Sequence, residues 1–145
     1  MLQHRDKNTI SNSLKQTLER SELCKIICWI NKDINLVAIV NKNGRITDSK
    51  CNNSENLNHI SVQELEMLSM LHTLQTTMIK GFDNKLSFFR NTITLRKSLV
   101  EFVYSLDDEI LLAISKVDVD IKQVSDKLFS LISGFCLSYG STKVI

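Results

Sequence analysis

A chain of 145 residues suffices for one self-supporting core, since a domain of that size buries about 70% of the surface its unfolded form exposes. A hydrophobic fraction of 43%, a charged fraction of 23% and a formal charge of +2 are those of an ordinary globular protein and exclude the strong positive field of a nucleic-acid binder. The aliphatic run Ile110–Ile114 is much too short to span a bilayer, Met1–Ile10 lacks the apolar core of a signal peptide, and Cys24, Cys28, Cys51 and Cys136 lack the spacing of a disulfide scaffold. A cytoplasmic protein with reduced thiols is expected.

The chain has no proline and four glycines, so element boundaries are read from periodicity and from Asn, Ser and Asp clusters. Residues 1–11 read as a flexible tail, residues 12–134 as one domain and residues 135–145 as a C-terminal tail. Ser13 and Gln16 form a capping box that opens a helix to about Asn31, with Leu14, Leu18, Leu23, Ile26, Ile27 and Ile30 at helical spacing. Ile34 to Val40 is a β-branched strand; Asn43-Gly44 turns it into a polar second strand from Arg45 to about Lys50. An Asn/Ser-rich loop, Cys51 to Asn58, leads to a second capping box, Ser61 with Glu64, and a helix to about Lys80 capped by Gly81. Its stripe of Met67, Leu71, Leu74 and Met78 is widened by Leu65, Leu68 and Ile79.

Three further strands are expected. Leu86 to about Arg96 is rich in β-formers, its alternation slipping near Arg90-Asn91 as a bulge would make it. Leu99 to Leu106 alternates, with Val100, Phe102, Tyr104 and Leu106 on one face and Leu99, Glu101, Val103 and Ser105 on the other. Asp107-Asp108-Glu109 turns into a strand from Ile110 to Lys116, and Ile121 to about Ser133 is helical through Val124, Leu128, Leu131 and Ile132. The two most apolar strands, Ile34–Val40 and Ile110–Ile114, belong in the middle, covered on both sides, and the polar second strand belongs at an edge. The expected fold is therefore α/β (α+β), α-β-β-α-β-β-β-α, with a five-stranded antiparallel sheet in the order 2-1-5-4-3 and helices on both faces.

No residue set carries catalysis or metal binding. Cys24 and Cys28 share a helical face, but a stable zinc site needs about four ligands, and His4, His59, His72, Cys51 and Cys136 supply no paired motif; buried packing is the expectation. His72 lies among Leu68, Leu71 and Leu74 with no nucleophile beside it. Asp107, Asp108 and Glu109 lack the alternating oxygen ligands and central glycine of a calcium loop and read as a turn. Asn43-Gly44 leads into a strand, unlike a phosphate-binding loop. Lys80, Lys85, Arg90, Arg96 and Lys97 make the middle of the chain basic, while residues 107–126 lean acidic; solvation of exposed turns accounts for both. Phe88 and Phe89 are read as strand core.

The element order, with the first and fifth strands central, resembles the roadblock/longin branch of profilin-like folds. From about Leu36 to Ile132 the chain resembles an uncharacterised family of small thaumarchaeal proteins, through Ala38-Ile39-Val40 with Asn43-Gly44-Arg45, Phe82-Asp83, Leu106-Asp107-Asp108-Glu109-Ile110-Leu111 and Val117-Asp118-Val119-Asp120. The resemblance implies a dimeric platform that binds small GTPases or other signalling partners; it implies no cofactor.

The functional expectation is a non-catalytic homodimer that presents a surface to a protein partner such as a small GTPase. The broad apolar surface of the second helix places Leu68, Leu71, Leu74, Leu99 and Val103 at an interface, although some of the five must be core. The alternative is a sensor holding a small apolar or aromatic ligand against Phe88, Phe102 and Tyr104.

Overall fold

The computed structural model describes residues 19–52 and 60–138. Over these run α1 (residues 19–30), β1 (Ile34–Val40), β2 (Ile46–Cys51), α2 (Val62–Lys80), a one-turn helix α3 (Asp83–Leu86), β3 (Asn91–Leu95), β4 (Leu99–Leu106), β5 (Glu109–Lys116) and α4 (Ile121–Ser138). The strands form one antiparallel sheet in the expected order, β2-β1-β5-β4-β3. All seven residues of β1 are buried, as a strand covered on both faces requires. The edge strand β2 is polar and mostly exposed.

Local chemistry sets the turns. The Asn41 carboxamide oxygen accepts from the backbone N–H of Asn43 and Arg45, and Gly44 takes φ 80, a left-handed conformation that favours glycine. A side chain at Gly44 would also run into Met70 of α2, so the hairpin tip packs on that helix. Asp107 at φ 62 turns β4 into β5, with Leu106 facing Glu109. At the start of α2 the Ser61 hydroxyl accepts from the Glu64 N–H at 3.1 Å while the Glu64 carboxylate accepts from the Ser61 N–H at 3.2 Å, a reciprocal cap.

Three expectations are corrected. The segment read as one strand from Leu86 to Arg96 is strand only over Asn91–Leu95. Before it, α3 and a turn intervene: Asp83 accepts from the Phe89 N–H at 2.9 Å, and Ser87 at φ 77 redirects the chain. Phe88 is thereby exposed outside the strand core. In α1 the buried stripe is Leu23, Cys24, Ile27 and Cys28, whereas Ile26 and Ile30 are partly exposed; the small thiols fit closer to the sheet than those isoleucines. Helix α4 continues past Ser133 to Ser138. Ser13 and Gln16 lie outside the described residues, as do Leu14, Leu18, His4, His59, most of the Cys51–Asn58 loop and the Cys136 side chain.

The sheet divides two unequal cores. On one face α1 and α4 cover Val37, Ile39, Val100, Phe102, Tyr104, Leu111 and Ala113. On the other, Leu36, Val40, Val103, Ile110, Leu112 and Ile114 lie beneath α2, joined by Leu65, Leu68 and Leu99.

Candidate interaction surface

Helix α2 meets the sheet with an unexpected side. Its fully buried residues are Ser69, His72 and Thr76. Small hydroxyl residues suit a close approach when their polar atoms are satisfied within the helix, and the Ser69 hydroxyl donates to the Leu65 carbonyl at 2.8 Å. The His72 Nε2 lies 2.7 Å from the Glu101 carboxylate on β4, and both side chains are almost wholly buried. The other oxygen of Glu101 accepts from Arg96 Nε. Burial opposes ionisation of Glu101, yet the hydrogen bonds and charges of His72 and Arg96 together hold its carboxyl below its ordinary value. An ionised carboxylate only accepts, so Nε2 is the donor in the pair. Lys80, at the end of α2, donates to the Ser105 hydroxyl and the Asp107 carbonyl at 3.0 and 3.2 Å.

With its polar stripe turned inward, α2 leaves its apolar stripe outside. Met67, Met70, Leu71, Leu74 and Met78 are 50–73% exposed, although burying each would be worth about 1.5–3 kcal/mol. The patch continues past Gly81 into Phe82, Leu86 and Phe88, also exposed. Together with Met78 and Ile79 these line an open apolar groove of about 580 Å³. Contiguous apolar patches larger than a few hundred Å² are uncommon on monomers, which makes this stripe the candidate contact surface.

The residues expected at an interface separate accordingly. Leu71 and Leu74 lie on the exposed patch, whereas Val103, Leu68 and Leu99 belong to the core beneath α2. They are core because α2 docks through the side that carries Leu65, Leu68 and His72. The residues expected to share a ligand pocket also separate. Phe102 and Tyr104 are fully buried on the α1–α4 face, and neither lines the groove that holds Phe88. The Tyr104 hydroxyl donates to the Ser125 carbonyl at 2.7 Å, and burial pushes its phenol up to about 12, as befits a packed core residue. Met70, Phe82, Leu86 and the Arg96–Glu101–His72 cluster were missed by sequence reasoning, and Met67 and Met78, read on the apolar stripe, were not placed at the interface. The available signal was Glu101, a lone charge sharing a strand face with Leu99 and Val103.

Cys24 and Cys28 are buried; burial pushes their thiols up to about 12 and 11, and the Cys28 thiol donates to the Lys50 carbonyl at 3.6 Å. Thiols buried in apolar surroundings and held from ionisation are poor nucleophiles. Among the described residues no three His, Cys, Asp or Glu side chains gather as a metal-holding group. Among the described residues the His72–Glu101 pair has no nucleophile in hydrogen-bond contact, and neither residue lines the groove. Arg90 of the basic segment pairs with Asp126 of the acidic one at 2.7 Å and lies over the Phe129 ring, while Glu109 pairs with Arg20 of α1. Among the described residues no helix is long and apolar enough to cross a membrane.

The five-stranded antiparallel order with its flanking helices matches the fold of Roadblock/LC7 domains. The chain is similar to the Roadblock/LC7 domain from Streptomyces avermitilis, with a TM-score of 0.62 and 9% identity over 82% of this chain and 95% of that one. It is also similar to the gliding protein MglB from Thermus thermophilus (TM-score 0.60, 10% identity, 83% of this chain and 90% of that one). A third similar structure is Myxococcus xanthus MglB (TM-score 0.55, 17% identity, 82% and 91%). At these identities the likeness establishes the fold alone. No family model matches the chain, and no curated protein matches it.

Proposed function

We propose that this protein is a non-catalytic interaction module that works as a homodimer and presents its surface to a protein partner. The observation that carries this reading is the orientation of α2, which buries Ser69, His72 and Thr76 while Met67, Met70, Leu71, Leu74 and Met78 face outward. Covering the exposed apolar stripe with a further surface would take it out of water and stabilise the arrangement. Support also comes from a solved structure of similar fold described as MglB with a tetrameric arrangement (TM-score 0.57, 11% identity). A small GTPase is the first partner to test, because the resemblance to roadblock-like proteins implies one; the motifs from Ala38 to Asp120 suggest kinship with the small thaumarchaeal proteins, and the unpaired spacing of the cysteines suggests a cytoplasmic setting.

Sedimentation of the purified protein should give a dimer at micromolar concentration. Leu71→Glu places a charge on the exposed patch without entering either core, so it should weaken association at least tenfold and leave the circular dichroism spectrum unchanged. A wild-type monomer at high concentration contradicts the reading.

A further inference from the structure

We propose that the groove at the end of α2 is a docking site for the chain's own N-terminal segment. Leu2 and Ile10 seat among Phe82, Leu86 and Phe88, and Arg5 or Lys7 faces Asp83. The contact lies within one chain and does not require the homodimeric reading.

The position of the chain leads to this occupant. The described residues start at Glu19, and Arg20 pairs with Glu109 at the start of β5. Two residues before Glu109, the Asp107 carbonyl accepts from Lys80 of α2, and the groove begins just past Lys80, at Phe82. The first described residues and the end of α2 therefore meet the same turn, between β4 and β5. With Ser13–Leu18 spent on prolonging α1, the 12 residues before Ser13 still span about 40 Å when extended, against roughly 10 Å for one layer of packing. The segment reaches the groove.

Charge selects the same segment. Among the described residues that line the groove, Asp83 alone is ionisable; its carboxylate accepts from the Phe89 N–H and makes no ion pair with a described residue. The Lys80 ammonium is held by the Ser105 hydroxyl and the Asp107 carbonyl, and Lys85 does not line the groove. Asp108, exposed on the intervening turn, adds a second negative charge along the way. Between Leu2 and Ile10 the segment carries Arg5 and Lys7 against Asp6 alone. A basic stretch bounded by apolar residues complements an apolar groove that holds one carboxylate.

The loop that builds the groove holds its apolar residues out. Ser87 takes φ 77, and its neighbours Leu86 and Phe88 are 75% and 62% exposed. A left-handed serine is a strained conformation. Here it keeps both side chains at the groove, where an incoming segment would take them out of water.

The test places an environment-sensitive fluorophore, acrylodan, on Ile10→Cys in the full chain. The background carries Cys51→Ser and Cys136→Ser; Cys24 and Cys28 are buried and stay unlabelled. Docking should give emission blue-shifted from that of the same protein in urea. Leu86→Glu with Phe88→Glu, both at exposed positions, should abolish the shift and leave the circular dichroism spectrum unchanged. Asp83→Asn keeps an acceptor for the Phe89 N–H and should weaken docking about two- to fivefold, the scale of an exposed ion pair. Native emission like that in urea overturns the proposal, and so does a blue shift that survives the groove substitutions. A shift that disappears on dilution puts the segment on a second copy and overturns the contact within one chain. An unchanged shift in Asp83→Asn overturns the pairing of Arg5 or Lys7 with that carboxylate. Sedimentation decides the homodimeric reading separately, so either one can fail without the other.

Discussion

The two faces of the sheet are covered in opposite ways. Under α1 and α4 the contact is apolar and closed: Phe102, Leu111 and Ile39 are fully buried, met by Ile27, Leu128 and Ile132. Under α2 the apolar core is smaller, and it is completed by a buried histidine, a buried carboxylate and two hydroxyl residues. The first helix pair spends its hydrophobic residues inward; α2 is also rich in large apolar residues but turns most of them outward. One face therefore holds the fold together, and the other holds a helix in position while displaying it.

That contrast breaks most clearly under large-to-small substitution. Phe102→Ala opens a cavity in the α1–α4 core and should cost about 3–5 kcal/mol, measured by urea unfolding. A loss below about 1 kcal/mol would mean that this face is not the main source of stability.

Glu101→Gln should have a smaller effect, about 1–3 kcal/mol, because it removes the charge that joins His72 and Arg96 while the half-exposed Arg96 regains water. The variant also sharpens the comparison through pH. The Glu101 carboxyl is held below its ordinary value of 4.5 when folded, so between the two values the unfolded chain binds more protons. Its contribution is complete above about 4.5 and is lost as pH falls through the lowered folded value. Urea titrations from pH 7 downward should therefore show a steeper acid loss in the wild type than in Glu101→Gln. Parallel curves would mean that the carboxylate does not hold α2 in place.

The smallest effect belongs to the outer stripe. Leu74→Ser should change the unfolding free energy of the monomer, measured well below the association range, by less than about 0.5 kcal/mol. A loss like that of a core leucine would place Leu74 inside the fold.

Most of the architecture was legible in the chain. Unbroken apolar runs at Ile34–Val40 and Ile110–Ile114 marked the central strands, Asn43-Gly44 and Asp107-Asp108 marked hairpins, and the alternation of Leu99–Leu106 assigned each residue to its observed face. Those features are local: a strand has period two, and a tight turn needs particular backbone angles. The start of β3 was misplaced because Phe88 and Phe89 have strand propensity, while the Asp83–Phe89 hydrogen bond that ends α3 joins residues six apart.

The sequence by itself determined that α2 is a helix, where it is capped, and that its apolar surface is broader than one contact uses. Only the tertiary structure decided which side faces the sheet. Helical periodicity cannot choose between a stripe of methionines and leucines and one of Ser69, His72 and Thr76 when Leu65 and Leu68 adjoin the polar one. The choice rests on groups far away in the chain: Glu101 and Arg96, which pair with His72, the Ser105 hydroxyl beneath Lys80, and Gly44, whose lack of a side chain lets Met70 lie against the hairpin. Once those polar groups are buried together, the hydrogen bonds they make with one another direct the apolar stripe outward.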